Sequence, residues 1–320
     1  MLVSGTRYRC VPETFVVFDF EDVRRWKIQK SRLKKIGLLL LLPALAYLAF
    51  LSIYPTIYAV LLSGKDVNLA RPYKALFVGL GNFFRLFQDG LFLKSIYNTL
   101  KIALVSIVLE LAVGYVVAEI FDKRLKGMEI LRTIYMLPMM VTPVVWGLVW
   151  VYIFNPNFGL ANYLCDRLGL GFQPWFASAD TAIWSLILVN VWQWAPFTAV
   201  IFLAGLSGIP ATLLDAAAVD GAKWYQVIRY VKFPALKYVA MVVILMRMMD
   251  NLRLFDLVYS TTQGGPGSAT ETMSFFIYRH GFKFFNVGYS SAAAIIVLVM
   301  IILLSQLLIR IFYRGGEISE

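Results

Sequence analysis

Charged side chains recur inside otherwise apolar stretches of this sequence, and their spacing limits the chemistry open to it. Arg247, Asp250, Arg253 and Asp256 follow one another at three-residue intervals, which sets all four along one drifting stripe of a helix. Glu110 stands near the middle of another apolar segment. Ionisable groups in such surroundings are costly, and they mark a pathway or a mutual pair. Arg247 is the expected partner of Glu110, an intramembrane ion pair. Asp250 and Asn251, with Asn190, Gln193 and Trp194 from a neighbouring segment, offer a carboxylate, amides and an aromatic face. Such a set can line a translocation pathway for a polar solute, or it can act as polar glue between helices. Catalysis is not expected. His280 is the only histidine, and no Ser-His-Asp arrangement, Cys-His pair or metal cluster can be assembled around it. The chain also has no GxxxxGK[ST] phosphate loop.

These residues need elements to hold them at membrane depth. Of the 320 residues, 60% are hydrophobic and 15% charged, with a mean hydropathy of +0.71. A bilayer core of about 30 Å takes about 20 apolar residues per helix. Six windows qualify: 37–62, 98–121, 131–154, 182–206, 235–259 and 289–312. None alternates in the manner of a barrel strand, so the spans should be α-helices that satisfy their own backbone hydrogen bonds. The expected fold class is an all-α membrane protein with six transmembrane helices. Windows two and five carry the ion pair; windows four and five carry the pathway candidates.

The formal charge of +11 is distributed by topology. Of 30 Lys and Arg, 19 fall in segments 1–36, 122–132, 207–237 and 310–320, and eight fall in the intervening loops. That bias puts both termini in the cytoplasm. It also removes the case for nucleic-acid binding, which needs basic residues on one face with interleaved aromatics. Cys10 and Cys165 then lie on opposite sides of the membrane and cannot pair. The chain divides into a cytoplasmic tail at 1–36, a membrane domain at 37–313 and a second tail at 314–320. The first tail mixes aromatics with a basic run from Arg24 to Lys35, as a segment on the cytoplasmic surface or a floppy leader would; it does not read as a signal peptide. In the outer loop 63–97, Phe83, Phe84, Phe87 and Phe92 recur at helical spacing, as in short interfacial helices. Loop 260–288 opens TTQGGPGSATETM and becomes aromatic, so it folds back on the helices, meets a partner or anchors at the interface.

The inside segment 207–234 reads SGIPATLLDAAAVDGAKWYQVIRYVKFP. Ser207 is an expected N-cap and Pro210 suits a first turn, with helix from Ala211 to Val219. Asp220 and Gly221 form a turn. Helix resumes from Lys223 to Val231, and Pro234 is expected to end it. The small residues Ala216, Ala217 and Ala218 would let another protein approach the backbone closely.

Asp215, Ala216, Ala217, Asp220, Gly221, Ala222 and Pro234 follow a family pattern: EAA, then Asp-Gly-Ala, then Leu-Pro. Asp215 stands in place of Glu and Phe233 in place of Leu. With VGLGNF, FNPNFGLANYL, VWQWAPFTAVIFLAGLSGIP and FDLVYSTTQGGPGSATETM, the likeness covers most of 37–313. The sequence resembles the permease subunits of binding-protein-dependent ABC importers, in the carbohydrate-uptake branch. That resemblance implies the type I importer permease fold in the bacterial cytoplasmic (inner) membrane. It implies that Asp215, Ala216, Ala217, Asp220, Gly221 and Ala222 form a coupling helix docked in a cytoplasmic ABC ATPase dimer, which binds ATP and Mg. It further implies a second homologous permease subunit, an external solute-binding protein and transport by alternating access. The carbohydrate substrate would be a mono- or oligosaccharide, including an anionic one such as a uronate oligosaccharide; a glycerol phosphate is the alternative. Sugars are held by carboxylates, amides and aromatic faces, which fits Asn190, Gln193, Trp194, Asp250 and Asn251, although in heterodimeric members one subunit can supply most contacts. A secondary transporter would show inverted repeats with paired broken helices, and a channel a filter sequence; neither is found.

Overall fold

A computed structural model describes residues 20–71, 75–123 and 126–314. Cys10, Arg124 and the C-terminal tail from 315, with the tail reading for residues 1–19, lie outside the described residues. The chain forms two compact units that part between Tyr58 and Ala59. The first is the greater part of α1 (Phe20–Ser63), helical through Pro43 and Pro55. From Leu40 to Tyr58 its side chains are exposed all round, as expected of a helix with lipid as its solvent.

The second unit begins with a two-stranded ribbon, β1 (Lys65–Asp66) and β2 (Leu76–Phe77). Buried Asn82 pins it to α2 (Gly81–Gln88) by donating to the carbonyls of Ser63 and Lys65, both at 2.9 Å. Asp89 then caps α3 (Gly90–Asp122), accepting from the Leu91 and Phe92 amides. Among the described residues one short helix lies in loop 63–97, and Phe92 belongs to α3 itself, where it is fully buried.

After α3 come α4 (Met128–Met140) and α5 (Pro143–Ile153), which meet at 96°. The sequence reading had a single spanning helix over 131–154. Pro143 is the reason: a residue before proline is driven out of the α region, and Thr142 is extended at φ −61°, ψ 142°. Two carbonyls freed at the break are taken by side chains, Pro138 by Trp146 Nε1 at 2.8 Å and Val141 by Gln193 Nε2 at 3.1 Å. Short α6 (Leu160–Arg167) leads to α7 (Ala179–Ser207), the most buried of the long helices. α7 lies along α3. A Cβ on Gly114 of α3 would stand 2.6 Å from the Thr198 side chain, so the two helices approach as closely as they do only because Gly114 has none.

Beyond α7, α8 (Ala211–Val219) and α9 (Trp224–Val227) make the connecting loop, and α10 (Phe233–Leu252) re-enters the bundle. α10 stops seven residues before the end of its sequence window. The Arg253 and Leu254 amides fold back onto the Asp250 and Asn251 carbonyls at 3.1 and 3.2 Å, a tightening turn that ends the helix. Arg253 and Asp256 therefore leave the stripe that Arg247 and Asp250 begin, and Asp256 opens a separate helix, α11 (Asp256–Ser260). The loop from Thr261 folds back on the bundle: Asn98 donates to the Ser268 and Glu271 carbonyls, and Thr99 accepts from the Met273 amide. α12 (Met273–Tyr278) buries Phe275 and Phe276, and α13 (Val287–Arg314) closes the unit. By length and apolarity, Leu40–Ser63, Gly90–Asp122, Ala179–Ser207 and Val287–Ile311 can cross a membrane, and the bent pair α4–α5 makes a fifth candidate. α10 carries Lys237, Arg247 and Asp250.

Candidate functional site

Where α10 turns into α11 it faces α7 and the start of α5, and a cavity of about 360 Å³ opens there. All five pathway candidates line it: Asn190, Gln193, Trp194, Asp250 and Asn251. Each is placed by a local cause. Gln193 is held by the Val141 carbonyl that the α4–α5 break released. Asn190 donates from Nδ2 to Asn251 Oδ1 at 2.7 Å, which joins α7 to α10. That bond leaves the Asn251 Nδ2 amide, buried at 1% exposure, without a partner among the described residues. A buried donor left so is a group waiting for a ligand or water oxygen.

Arg247 forms the wall behind these amides. It is 1% exposed and donates to Glu110 twice, Nε to Oε2 at 2.7 Å and Nη2 to Oε1 at 2.9 Å. The geometry is the parallel fork that matches guanidinium to carboxylate. Its third arm reaches Asp250 at 3.4 Å, and its guanidinium lies 4.6 Å from the Trp194 ring centre. The structure thus brings Glu110 and Arg247 together and uses the pair to orient two of the pathway candidates. Asp250 remains half-exposed to the cavity and also meets Arg253 at 3.6 Å.

The sequence reading missed the apolar part of the wall, Pro143, Leu254, Phe255 and Leu257. Those residues reach the cavity only because two helices break. The Thr142–Pro143 dipeptide was the signal for the first break.

The second candidate site is the loop between α7 and α10. Asp215, Ala216 and Ala217 lie on α8, which has no buried residue; Asp220, Gly221 and Ala222 form the turn behind it. Gly221 has φ +69°, a left-handed conformation that glycine adopts without steric penalty. The Gly221 and Ala222 amides donate back to the Ala218 and Ala217 carbonyls, at 3.1 and 2.9 Å, closing the helix end. Two sequence expectations are corrected here. Ser207 is the last residue of α7 and its hydroxyl bonds to the Leu203 carbonyl, so α8 starts without a side-chain cap. Pro234 does not end the helix after Gly221. A π turn at Ile228–Lys232 precedes α10, widening the helix where the proline ring would meet the preceding turn, and Pro234 sits in the first turn of α10.

His280, the sole histidine, packs on Phe276, Phe284 and Tyr289 away from both sites. Among the described residues no group of three or more His, Cys, Asp or Glu could hold a metal.

Comparison with known proteins gives these sites a family. Residues 111–315 match the family described as the binding-protein-dependent transport system inner membrane component. The trehalose/maltose transport system permease protein MalF of Thermococcus litoralis is 33% identical over 282 residues, 88% of this chain and 94% of that protein. The sulfoquinovosyl glycerol transport system permease protein SmoG of Agrobacterium fabrum is 30% identical over 307 residues, 94% of this chain and 98% of that one. A chain in the crystal structure of a bacterial ABC transporter involved in import of the acidic polysaccharide alginate shares the fold, with a TM-score of 0.77 at 22% identity, over 92% of this chain and 99% of that chain. The family match over residues 111–315 and the near full-length relatives place this chain among the inner membrane permeases of binding-protein-dependent ABC importers.

Proposed function

We propose that this chain is one half of the membrane pathway of an importer for a mono- or oligosaccharide. It pairs with a second, homologous permease and works with two cytoplasmic ATPase subunits, which bind ATP and Mg, and with an external solute-binding protein. It crosses the membrane six times with both termini inside: α1, α3, the bent pair α4–α5, α7, α10 and α13, flanked by tails at 1–36 and 314–320. Solute moves by alternating access, and the exposed α8 segment, Asp215 to Ala222, is the surface the ATPase grips.

The observation that carries the solute reading is the unpartnered Asn251 amide in a cavity that also presents the Asp250 carboxylate and the Trp194 ring. Hydroxyl groups can both accept from the amide and donate to the carboxylate, and a sugar's C–H face packs on an indole. The permeases MalF and SmoG, named for trehalose/maltose and for sulfoquinovosyl glycerol, support a glycosidic solute, neutral in the one case and anionic in the other. ATP-driven uptake of labelled neutral disaccharide, uronate oligosaccharide and glycerol 3-phosphate into proteoliposomes holding the whole complex tests this. Uptake of either glycan is the expected result, reduced about 5- to 150-fold by Asn251→Leu, which removes the cavity-facing donor and leaves the buried Asn190 amide without its acceptor. Uptake of glycerol 3-phosphate alone would overturn the carbohydrate reading.

A further inference from the structure

Two ion pairs, not one, tie α3 to α10 and to the π turn that leads into it. Besides Glu110 with Arg247, Glu119 accepts from Lys232 Nζ on both carboxylate oxygens, at 2.9 and 2.7 Å. Tyr115 donates to the same carboxylate at 2.5 Å. Its ring stands 5.2 Å from Phe233 and 6.0 Å from Phe202, so it wedges α3 against both α10 and α7. Between the two ion pairs the contact is apolar, with Leu111, Leu236 and Ala240 around the buried Ala118 and Phe202. Lys232 is the last residue of the π turn that follows α8 and α9, immediately before α10. Glu119 lies nine residues beyond Glu110 on one continuous helix, about 13 Å at 1.5 Å per residue.

We propose that Glu119 and Lys232 are positioning residues that latch the coupling segment to α3, so that α3 and α10 move as one body and deliver the segment's displacement to Arg247 and the solute cavity. The latch rests on the proposed function, since it gives α8 its motion from an ATPase. The ion pair adds a directional link at a fixed point to the apolar contact that Tyr115 makes with Phe233. Lys232 is 15% and Glu119 23% exposed at the side chain, so water screens the pair little. The upper pair then converts movement of α3 into movement of Glu110, and with it Arg247, Asp250 and Trp194. Neither Glu119 nor Lys232 touches the cavity or the exposed face of α8, so neither is expected to alter solute contact or ATPase docking directly.

The test uses the whole complex in nanodiscs, with Cys165 and Cys10 replaced by serine and Leu254→Cys as a reporter in the cavity wall. Labelling of that thiol by a charged methanethiosulfonate is timed without nucleotide and after trapping with ATP and vanadate, alongside the ATPase rate. In the otherwise native complex trapping should change the labelling rate by at least about tenfold, the shift expected when a pathway changes the side it faces. Glu119→Gln and, separately, Lys232→Gln should cut that change to under about twofold while vanadate still traps nucleotide. The double exchange Glu119→Lys with Lys232→Glu should restore it. A native response in both Gln variants would overturn the latch, as would a double exchange that stays as uncoupled as they are. No response in the native complex itself would overturn the proposed function instead, and the latch with it.

Discussion

Removing Arg247 should damage this protein more than removing its partner, although the two share the same hydrogen bonds. Glu110 is fully buried, and among the described residues the only donors to its carboxylate are the two from Arg247. Arg247→Met therefore strands a buried carboxylate, a change that costs about 3–5 kcal/mol when one member of a buried pair is lost. Glu110→Gln leaves Arg247 with Asp250 at 3.4 Å, the Trp194 ring at 4.6 Å and a new amide oxygen in place of the old acceptor. That substitution should cost about 1–3 kcal/mol. In the double variant Glu110→Gln with Arg247→Met no charge is left buried, so its loss should be smaller than that of Arg247→Met alone. Together the three define a coupling of about 2 kcal/mol or more, well above the few tenths expected of independent sites. Unfolding of the purified complex in graded sodium dodecyl sulfate and dodecyl maltoside micelles, followed by near-ultraviolet circular dichroism, ranks the variants. The order predicted is native, Glu110→Gln, double, Arg247→Met, with the middle two close. Additive losses, or Glu110→Gln as the weakest of the four, would refute the claim that Arg247 holds an otherwise unsupported carboxylate.

Other parts of the structure make equally definite predictions. Gly221→Val places a β-branched side chain at φ +69°, where β-branched residues are strained by about 1–3 kcal/mol; ATPase co-purification should fall while the chain still inserts. Glu271, in the loop between α11 and α12, is fully buried beside Arg279, and burial pushes its carboxyl up to about 7 against the pull of that guanidinium. The unfolded chain releases this proton near pH 4.5 and the folded chain near 7, so the folded state binds more protons in between. Stability should therefore fall as pH rises from about 4.5 to 7, and Glu271→Gln should flatten that slope in the same micelle titration.

Much of this architecture could be read from the residues because lipid makes simple demands. Long apolar windows gave α3, α7 and α13 to within a turn at their C-terminal ends, and the cost of charge in apolar surroundings singled out Glu110 and Arg247. What could not be read were the breaks. The bend before Pro143 and the turn after Leu252 each depend on which freed carbonyls a neighbouring helix can satisfy, and Gln193 meeting Val141 is a contact across 52 residues. Those two breaks shape the cavity, so sequence identified its amides and carboxylate but not its apolar wall. Lys232 and Glu119 escaped notice because each, read alone, is an ordinary charge near the end of an apolar helix. The π turn hid Lys232 further, since it shifts the register on which helical spacing depends.

The proposed drive of this permease depends on an ATPase gripping the DAAAVDGA segment. Cysteine placed at Ala217, in the native complex otherwise free of reactive thiols, should form a disulfide or short bifunctional crosslink with the ATPase subunit, with a yield that changes when ATP and vanadate are added. An active complex that gives no adduct from position 217, or from its neighbours 216 and 218, would contradict the account.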